Sequence, residues 1–167
     1  MSSLSPKTVA FSAIQDQTYK VFPNDLNSND TVFGGLVMVL LDRVALVVAE
    51  RHSEKTCVTA SVDSIHFLAP ARKGDVLLFQ AALNRSWRTS MEIGIKVRAI
   101  SYKTKEDRHV LSAYFTFVAL DAAGKPSEVP ALLPESEIEK RRYKEAQMRR
   151  ENRQLEKQQR LIHRQKN

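Results

Sequence analysis

The chain has 167 residues, a formal net charge of +7 at pH 7 and one cysteine, Cys57. This length suits one domain with an appendage, and the single cysteine excludes an intramolecular disulfide or a cysteine-based zinc site. The N-terminus lacks a signal-peptide pattern and no stretch is long and apolar enough to cross a bilayer, so we expect a cytoplasmic protein without membrane insertion.

The first predicted elements are a strand and a polar segment. Residues 8–21 alternate apolar and polar side chains, as a half-buried strand does, and the strand ends at Pro23-Asn24-Asp25. A segment rich in Asn and Asp follows and ends in Phe33-Gly34-Gly35. Its glycines leave backbone amides uncovered, and a helix start adds unpaired N–H groups. Two interpretations fit: a site that polarises a carbonyl or holds an anion, and an ordinary helix N-cap with a tight entry.

A long helix is predicted from about Gly35 to Arg51. Residues 36–49 are apolar except for Asp42 and Arg43, which leaves almost no polar face, and such a helix belongs in the interior of a protein. Buried carboxylates are rare unless they are paired. Asp42 is therefore the candidate catalytic carboxylate, as general base or nucleophile; the structural alternative is a neutralising pair with Arg43 or with an arginine of a partner chain.

Four more strands are predicted after the helix. They cover residues 56–67, 76–85, 90–102 and 109–120, and a change of apolar phase at Ile65 and Phe67 indicates a bulge or bend in the first of them. The order strand, helix, four strands predicts an α+β fold in which a curved antiparallel sheet wraps around one long central helix.

The excess positive charge is concentrated in the C-terminal tail. Residues 135–167 hold 11 Lys and Arg against 6 Asp and Glu, which leaves only +2 for residues 1–134. We therefore divide the chain into a domain, 1–134, and a basic, polar helical tail, 135–167, opened by a capping box of Ser136 and Glu139. Sparse apolar residues predict a solvated helix that frays towards its end and can lie on a neighbouring subunit; the alternative is a weak polyanion-binding tail. We expect no nucleic-acid binding by the near-neutral domain.

The sequence lacks several known catalytic motifs. It has no G-x-S-x-G segment, which argues against a serine-esterase mechanism, and no P-loop or dinucleotide fingerprint. The four histidines are scattered without the helical pair that binds zinc, and Cys57 is expected to be a packed residue rather than a nucleophile. Carboxylate chemistry remains, centred on Asp42 and helped by Asn27 and exposed amides.

The motifs along the chain resemble those of the hot-dog-fold acyl-CoA thioesterases, and more narrowly the small bacterial cytosolic acyl-CoA hydrolases. The resemblance covers residues 18–130 but not the basic tail. It is carried by Asp25-Leu26-Asn27, Phe33-Gly34-Gly35, Asp42, VTASVD at 58–63, Phe67-Leu68-Ala69-Pro70, Lys73-Gly74-Asp75 and Arg88-Thr89-Ser90-Met91-Glu92. One departure is Thr31, where some relatives place Asp or Asn beside the two glycines.

The resemblance implies hydrolysis of acyl-CoA thioesters by an enzyme of fatty acid metabolism that needs no cofactor, since CoA is part of the substrate. It also implies a dimer whose sheets meet edge to edge, commonly a trimer of such dimers, and an active site between the subunits of a dimer. In this chain Asn27 and amides near Gly34-Gly35 would polarise the thioester carbonyl. Asp42 would activate water or attack directly, and Thr59 would orient Asp42 or the water.

The same resemblance implies a binding site for CoA, lined by Gly34, Gly35, Ser61 and the segment Arg88-Thr89-Ser90. CoA is polyanionic, so cationic side chains are candidates for its phosphates. These are Arg72, Lys73, Arg85, Arg88 and Lys103, of which we favour Arg88.

Three other functions are alternatives to hydrolysis. An acyl-CoA-sensing protein of the same fold usually carries a DNA-binding domain before the first strand, and few residues precede that strand here. A dehydratase of the fold would need a histidine in the cleft, whereas the helix holds none before His52. In the third, the tail is the functional part and binds RNA or a membrane through its basic residues.

Overall fold

The computed structural model describes residues 4–165 of the chain. Seven strands and two α-helices are assigned within that range. The strands are β1 (Lys7–Thr8), β2 (Ile14–Lys20), β3 (Cys57–Val62), β4 (Val76–Ser86), β5 (Ser90–Ile100), β6 (Asp107–Ala119) and β7 (Leu132–Leu133), and the helices are α1 (Gly34–Ser53) and α2 (Glu137–Gln165). Neither helix is both long enough and apolar enough to serve as a membrane span.

Five of the strands form one antiparallel sheet in the spatial order β2-β4-β5-β6-β3, while β1 and β7 make a small parallel pair. Helix α1 packs against one face of the sheet. Alternate residues of each strand point to that face, such as Phe79, Ile93 and Phe117, which are almost fully buried. Burial of each such side chain contributes about 1.5–3 kcal/mol. The predicted fold, a curved antiparallel sheet around a central helix with a helical C-terminal extension, is confirmed.

Helix α1 is buried on one face only. Leu41 and Val48 are fully buried against the sheet, whereas Met38, Val39 and Val47 on the other face are 48%, 46% and 40% exposed. The expectation that α1 is enclosed on nearly all sides is therefore wrong for the single chain. Apolar periodicity could not reveal this, because it does not distinguish a face that packs on the chain's own sheet from one left for another surface.

The edge strand β3 differs from its prediction in length and in the position of its irregularity. It ends at Val62 rather than Phe67, and the residues beyond it form a loop. The break in register lies between Thr59 and Ser61, because Thr59 pairs with Phe117 while Ser61 pairs with Thr116. The extra residue is a β-bulge, which reverses the side to which the following side chains point.

The C-terminal helix α2 lies on the sheet face opposite α1. Its predicted capping box forms: the Glu139 backbone N–H donates to Ser136 Oγ at 3.3 Å, and the Ser136 N–H donates to Glu139 Oε2 at 2.9 Å. Along the first half of the helix Ala146 is fully buried, and Trp87 Nε1 donates to Gln147 Oε1 at 3.0 Å. The expectation of a solvated helix is thus wrong for this half, whereas residues 154–163 are exposed.

A buried carboxylate, Glu92 of β5, joins α2 to the sheet. Glu92 is fully buried and its Oε1 accepts hydrogen bonds from Asn84 Nδ2 at 3.2 Å and from Arg149 at 2.7 and 3.1 Å. Its Oε2 accepts from Arg153 at 3.3 Å, and Arg153 also binds Asp63 at 2.8 Å. The Arg149 guanidinium lies 3.7 Å from the centroid of the Tyr114 ring. A buried charge is tolerated only when it is paired and fully hydrogen-bonded, so this network fixes where α2 lies.

Replacing Arg149 with Met should destabilise the protein. Glu92 would keep Asn84 and Arg153 but lose its two shortest charged contacts, and removing one partner of a buried pair costs about 3 kcal/mol. The midpoint of urea unfolding at fixed protein concentration measures this. Arg142→Met, at an exposed position of the same helix, is the control and should leave the midpoint unchanged. Equal midpoints for the two variants would show that the Glu92 network does not anchor α2.

Stability should also fall at mildly acidic pH because of His52 at the end of α1. His52 is fully buried and Nε2 lies 3.0 Å from the Pro130 carbonyl. Burial lowers the pKa of His52 below 6.5; the bond to Pro130 opposes this, and the nearby Lys7 ammonium adds to it. The unfolded chain therefore takes up the proton first, and stability present above pH 6.5 is lost as the pH falls below it.

The slope expected from this one group is at most about 1.4 kcal/mol per pH unit. Urea midpoints of the wild type and His52→Gln at pH 7.5, 6.5 and 5.5 measure it, and the variant should show the shallower dependence. Parallel curves for the two proteins would contradict the assignment to His52.

Candidate active site

A hydrogen bond joins the central helix to the edge strand at the candidate catalytic carboxylate. Thr59 Oγ1 of β3 donates to Asp42 Oδ1 of α1 at 2.6 Å. Asp42 is half-buried, not buried as the sequence predicted, because it lies beside the incompletely covered face of α1. Within residues 4–165 no ion pair involves Asp42, and Arg43, the next residue on the helix, is exposed on another side. The alternative of an Asp42–Arg43 pair is therefore wrong.

The bulge in β3 determines which side chains can reach Asp42. Directly paired residues of an antiparallel sheet point to the same face, so Thr59 shares the helix side with buried Phe117. Past the bulge, Ser61 shares the outer side with Thr116. Simple alternation would have placed Thr59 and Ser61 on one face. The structure instead separates them, with Thr59 at Asp42 and Ser61 towards α2.

Asn27 lies in a hydrogen-bonded turn just before α1. Its Oδ1 accepts from the backbone N–H of Asn29 at 2.9 Å and of Thr31 at 3.3 Å, and its Nδ2 donates to Thr31 Oγ1 at 3.0 Å. Asp25 stabilises the entry to this turn by accepting from Tyr19 Oη at 3.0 Å and from the Phe22 N–H at 2.8 Å. These contacts fix the Asn27 amide, since an Asn side chain that bonds to nearby backbone adopts one orientation.

Asn27 and Gly34 line the same cavity, of about 350 Å³, between the turn, the start of α1 and the loop around Phe67. The first N–H groups of a helix have no partner within the helix, so those of Gly34 and Gly35 are available donors at this end. Gly35 lies under the Phe33 ring, where an added Cβ would approach ring carbons to 2.4 Å. Asp42 and Thr59 do not line this cavity; Asp42 lies eight residues further along α1, about 12 Å along the helix axis.

The residues expected to bind CoA do not lie together. Gly34 lines the Asn27 cavity, whereas Ser61 and Ser90 line a groove of about 730 Å³ between the sheet and α2. Arg88 is exposed at the turn between β4 and β5, and the Thr89 carbonyl accepts from the Ala119 N–H at 3.1 Å.

Of the cations expected at the CoA phosphates, Arg72, Lys73 and Lys103 are exposed, like Arg88. Arg85 is engaged by α2: it donates to the Tyr143 carbonyl at 3.3 Å and lies 4.1 Å from the centroid of the Tyr143 ring. The sequence interpretation missed the cations that α2 brings to the groove. The signal was present as basic residues three or four positions apart, at 150, 153, 157 and 160.

Cys57, another residue with a reactive side chain, has a structural role. Cys57 is buried as predicted, its Sγ lies 3.2 Å from Ser53 Oγ, and burial raises the pKa of its thiol, so it is unsuited to nucleophilic attack. In the described part of the chain no three His, Cys, Asp or Glu side chains gather as metal ligands.

The chain is similar to several known proteins in sequence and in fold. Residues 29–104 match the family model of the Thioesterase superfamily. Protein VdlD of Helicobacter pylori is 43% identical over 136 residues, which are 81% of this chain and 78% of that protein. A hexameric acyl-CoA thioesterase solved in its apo form has a TM-score of 0.88 at 37% identity, covering 92% of this chain and 97% of that one.

The acyl-CoA hydrolase of Staphylococcus aureus, solved with butyryl-CoA and CoA, is 35% identical with a TM-score of 0.84, covering 94% of this chain and 97% of that one. Structures of its variants with one Asp, one Asn or one Thr replaced by Ala are similar to this chain as well, with TM-scores of 0.83–0.86. By these identities and coverages, the chain belongs to the hot-dog-fold acyl-CoA thioesterase family.

Proposed function

We propose that this protein hydrolyses acyl-CoA thioesters to a carboxylic acid and free CoA, with Asp42 as the catalytic carboxylate. The observation that carries the proposal is the 2.6 Å hydrogen bond from Thr59 to Asp42, which holds one carboxylate oxygen and leaves the other free for the reaction. The family membership and the butyryl-CoA complex of the Staphylococcus aureus hydrolase support this substrate class. The residue types altered in the variants of that hydrolase are those proposed here, Asp, Asn and Thr.

In this mechanism Asp42 takes a proton from water as the water oxygen attacks the thioester carbonyl carbon, or Asp42 itself attacks and water then hydrolyses the resulting anhydride. The Asn27 amide and the N–H groups of Gly34 and Gly35 stabilise the oxyanion that forms. One donor of this kind contributes about 3 kcal/mol to transition-state stabilisation. The C–S bond then breaks and the CoA thiolate leaves and is protonated. The reaction requires no cofactor apart from the CoA of the substrate.

The active site is proposed to take Asn27 from one subunit and Asp42 from its partner. Within one chain Gly34, which lines the Asn27 cavity, and Asp42 are about 12 Å apart along the axis of α1, and Asp42 lies outside that cavity. The exposed apolar residues Met38 and Val39 lie four and three positions before Asp42 on the same helix, and β3 is an edge strand of the sheet. Unpaired edges and apolar faces both favour association.

We therefore infer a dimer formed through β3 and α1, assembled further as a trimer of dimers. The apo hexamer similar to this chain supports the larger assembly. The cytoplasmic location expected from the sequence stays a prediction.

Replacing Asp42 with Asn should lower the rate of thiol release from butyryl-CoA by at least about a hundredfold, because the variant has no base or nucleophile. Release is followed with a thiol reagent. Asp16→Asn, an exposed position on β2, is the matched control and should keep wild-type activity. Undiminished turnover by Asp42→Asn would contradict the proposed role, and tight CoA binding without any release by the wild type would favour the sensing function.

Replacing Thr59 with Val should lower kcat about ten- to a hundredfold with little change in KM, since the variant keeps the shape but loses a hydrogen bond to a charged group. Thr59→Ser restores the hydroxyl and should recover most of the rate. Steady-state kinetics of the two variants on one substrate make the comparison. Equal rates for Val and Ser would show that the hydroxyl does not position Asp42.

A further inference from the structure

The hydroxyl group of Thr31 lies against the Asn27 amide, beside the start of α1. Thr31 Oγ1 accepts a hydrogen bond from Asn27 Nδ2 at 3.0 Å and lies 3.2 Å from Asn27 Oδ1. Thr31, Asn27 and Gly34 all line the same cavity. The mechanism described above gives a role to the Asn27 amide and to the glycine N–H groups, and none to this hydroxyl group.

Two backbone N–H groups determine which way round the Asn27 amide lies. Asn27 Oδ1 accepts from the N–H of Asn29 at 2.9 Å and from the N–H of Thr31 at 3.3 Å. A backbone N–H can only donate, so the oxygen end of the amide must face these two groups. The nitrogen end of the amide therefore faces the Thr31 hydroxyl group.

The amide nitrogen of Asn27 carries two hydrogens, and Thr31 accepts only one of them. Among residues 4–165 the other hydrogen has no acceptor. The amide group is planar, so a hydrogen bond that fixes the direction of one N–H also fixes the direction of the other. This second N–H is the donor that Asn27 can offer to a carbonyl oxygen in the cavity that it lines.

Thr31 is itself held in place by its backbone. Its carbonyl accepts from the Asn27 N–H at 2.8 Å, and Thr31 forms an antiparallel bridge with Arg72. The next residue, Val32, is buried and its N–H donates to the Ala71 carbonyl at 2.8 Å. The branched side chain of a threonine also has few rotamers. The hydroxyl group is thus attached to a rigid support, as a group that orients another side chain must be.

We propose that Thr31 is a positioning residue, whose hydroxyl group holds the Asn27 amide so that its second N–H points at the thioester carbonyl oxygen. The inference rests on the proposed function and extends it, because Thr31 acts through Asn27 and not on the substrate itself. Each of the two polar side chains of the candidate site then has its own threonine, Thr59 for Asp42 and Thr31 for Asn27. Such support matters because a displacement of about 1 Å in a site of this kind lowers the rate about a hundredfold.

The first test compares Thr31→Val with the wild type in thiol release from butyryl-CoA. Valine keeps the branched shape and removes the hydroxyl group. The kcat should fall about tenfold with little change in KM, because the donor is needed most when the oxyanion forms. Thr31→Ser restores the hydroxyl group and should recover most of the rate. Thr18→Val, at an exposed position of β2, is the matched control and should behave as the wild type.

The second test repeats Thr31→Val in an Asn27→Ala background. A residue that acts only through Asn27 should cause no further fall in kcat once Asn27 is absent, whereas a general structural role would lower kcat by the same factor in both backgrounds. Equal falls in the two backgrounds overturn the proposal, and so does a wild-type kcat in Thr31→Val. If Thr31→Val fails to fold, Thr31→Ala is used in the same comparison.

Crystal structures separate a failure of this inference from a failure of the proposed function. If the wild type releases no thiol from any acyl-CoA, hydrolysis is refuted, and if Asn27→Ala keeps full turnover, the role of Asn27 is refuted. In both cases the structures of the wild type and of Thr31→Val still show whether Thr31 holds the amide. More than one conformer of the Asn27 side chain in the variant supports the proposal, and a single conformer identical to that of the wild type overturns it.

Discussion

The hydrogen bond between Thr59 and Asp42 is the contact on which the rest of the candidate site depends. It connects the central helix to β3, so it fixes the carboxylate relative to an edge strand of the sheet. A hydroxyl that donates to one carboxylate oxygen orients the carboxylate but does not neutralise it. An arginine partner would neutralise it. A carboxylate that is hydrogen-bonded but not paired with a cation is suited to accepting a proton or attacking a carbonyl carbon.

The edge strand β3 and the residue just after it are bonded to a helix on each face of the sheet. On the helix side Thr59 bonds to Asp42, and just beyond the strand Asp63 bonds to Arg153 of α2. The Asp63 N–H also donates to the Tyr114 carbonyl at 3.0 Å. The bulge between Thr59 and Ser61 is what allows this division, because it changes the side on which side chains emerge. The candidate catalytic pair and the packing of α2 on the sheet are therefore linked through a few residues of one strand.

The arginines of the C-terminal helix lie in two different environments. Arg149 and Arg153 surround the buried Glu92, and a fully buried carboxylate needs such partners to be tolerated at all. Arg150 lies on Trp87 and keeps its charge unpaired within the described part of the chain. Net charge alone cannot separate these environments, because neutralised and unpaired cations count equally in a sequence.

The sequence by itself determined the central helix, the glycines at its start, the carboxylate within it and the order of strands, because each of these is a local pattern of side chains. The motifs around Asn27, Asp42 and Thr59 also sufficed to identify the family. Tertiary structure alone decided that one apolar face of α1 stays uncovered, that Ser61 and Thr59 point to opposite faces, and that Glu92 is buried under Arg149. These outcomes depend on contacts between distant parts of the chain, such as the 57 residues that separate Glu92 from Arg149, and on the bulge in β3. Periodicity describes how a segment could pack, whereas the surfaces that meet it decide which of its groups are buried, paired or left free.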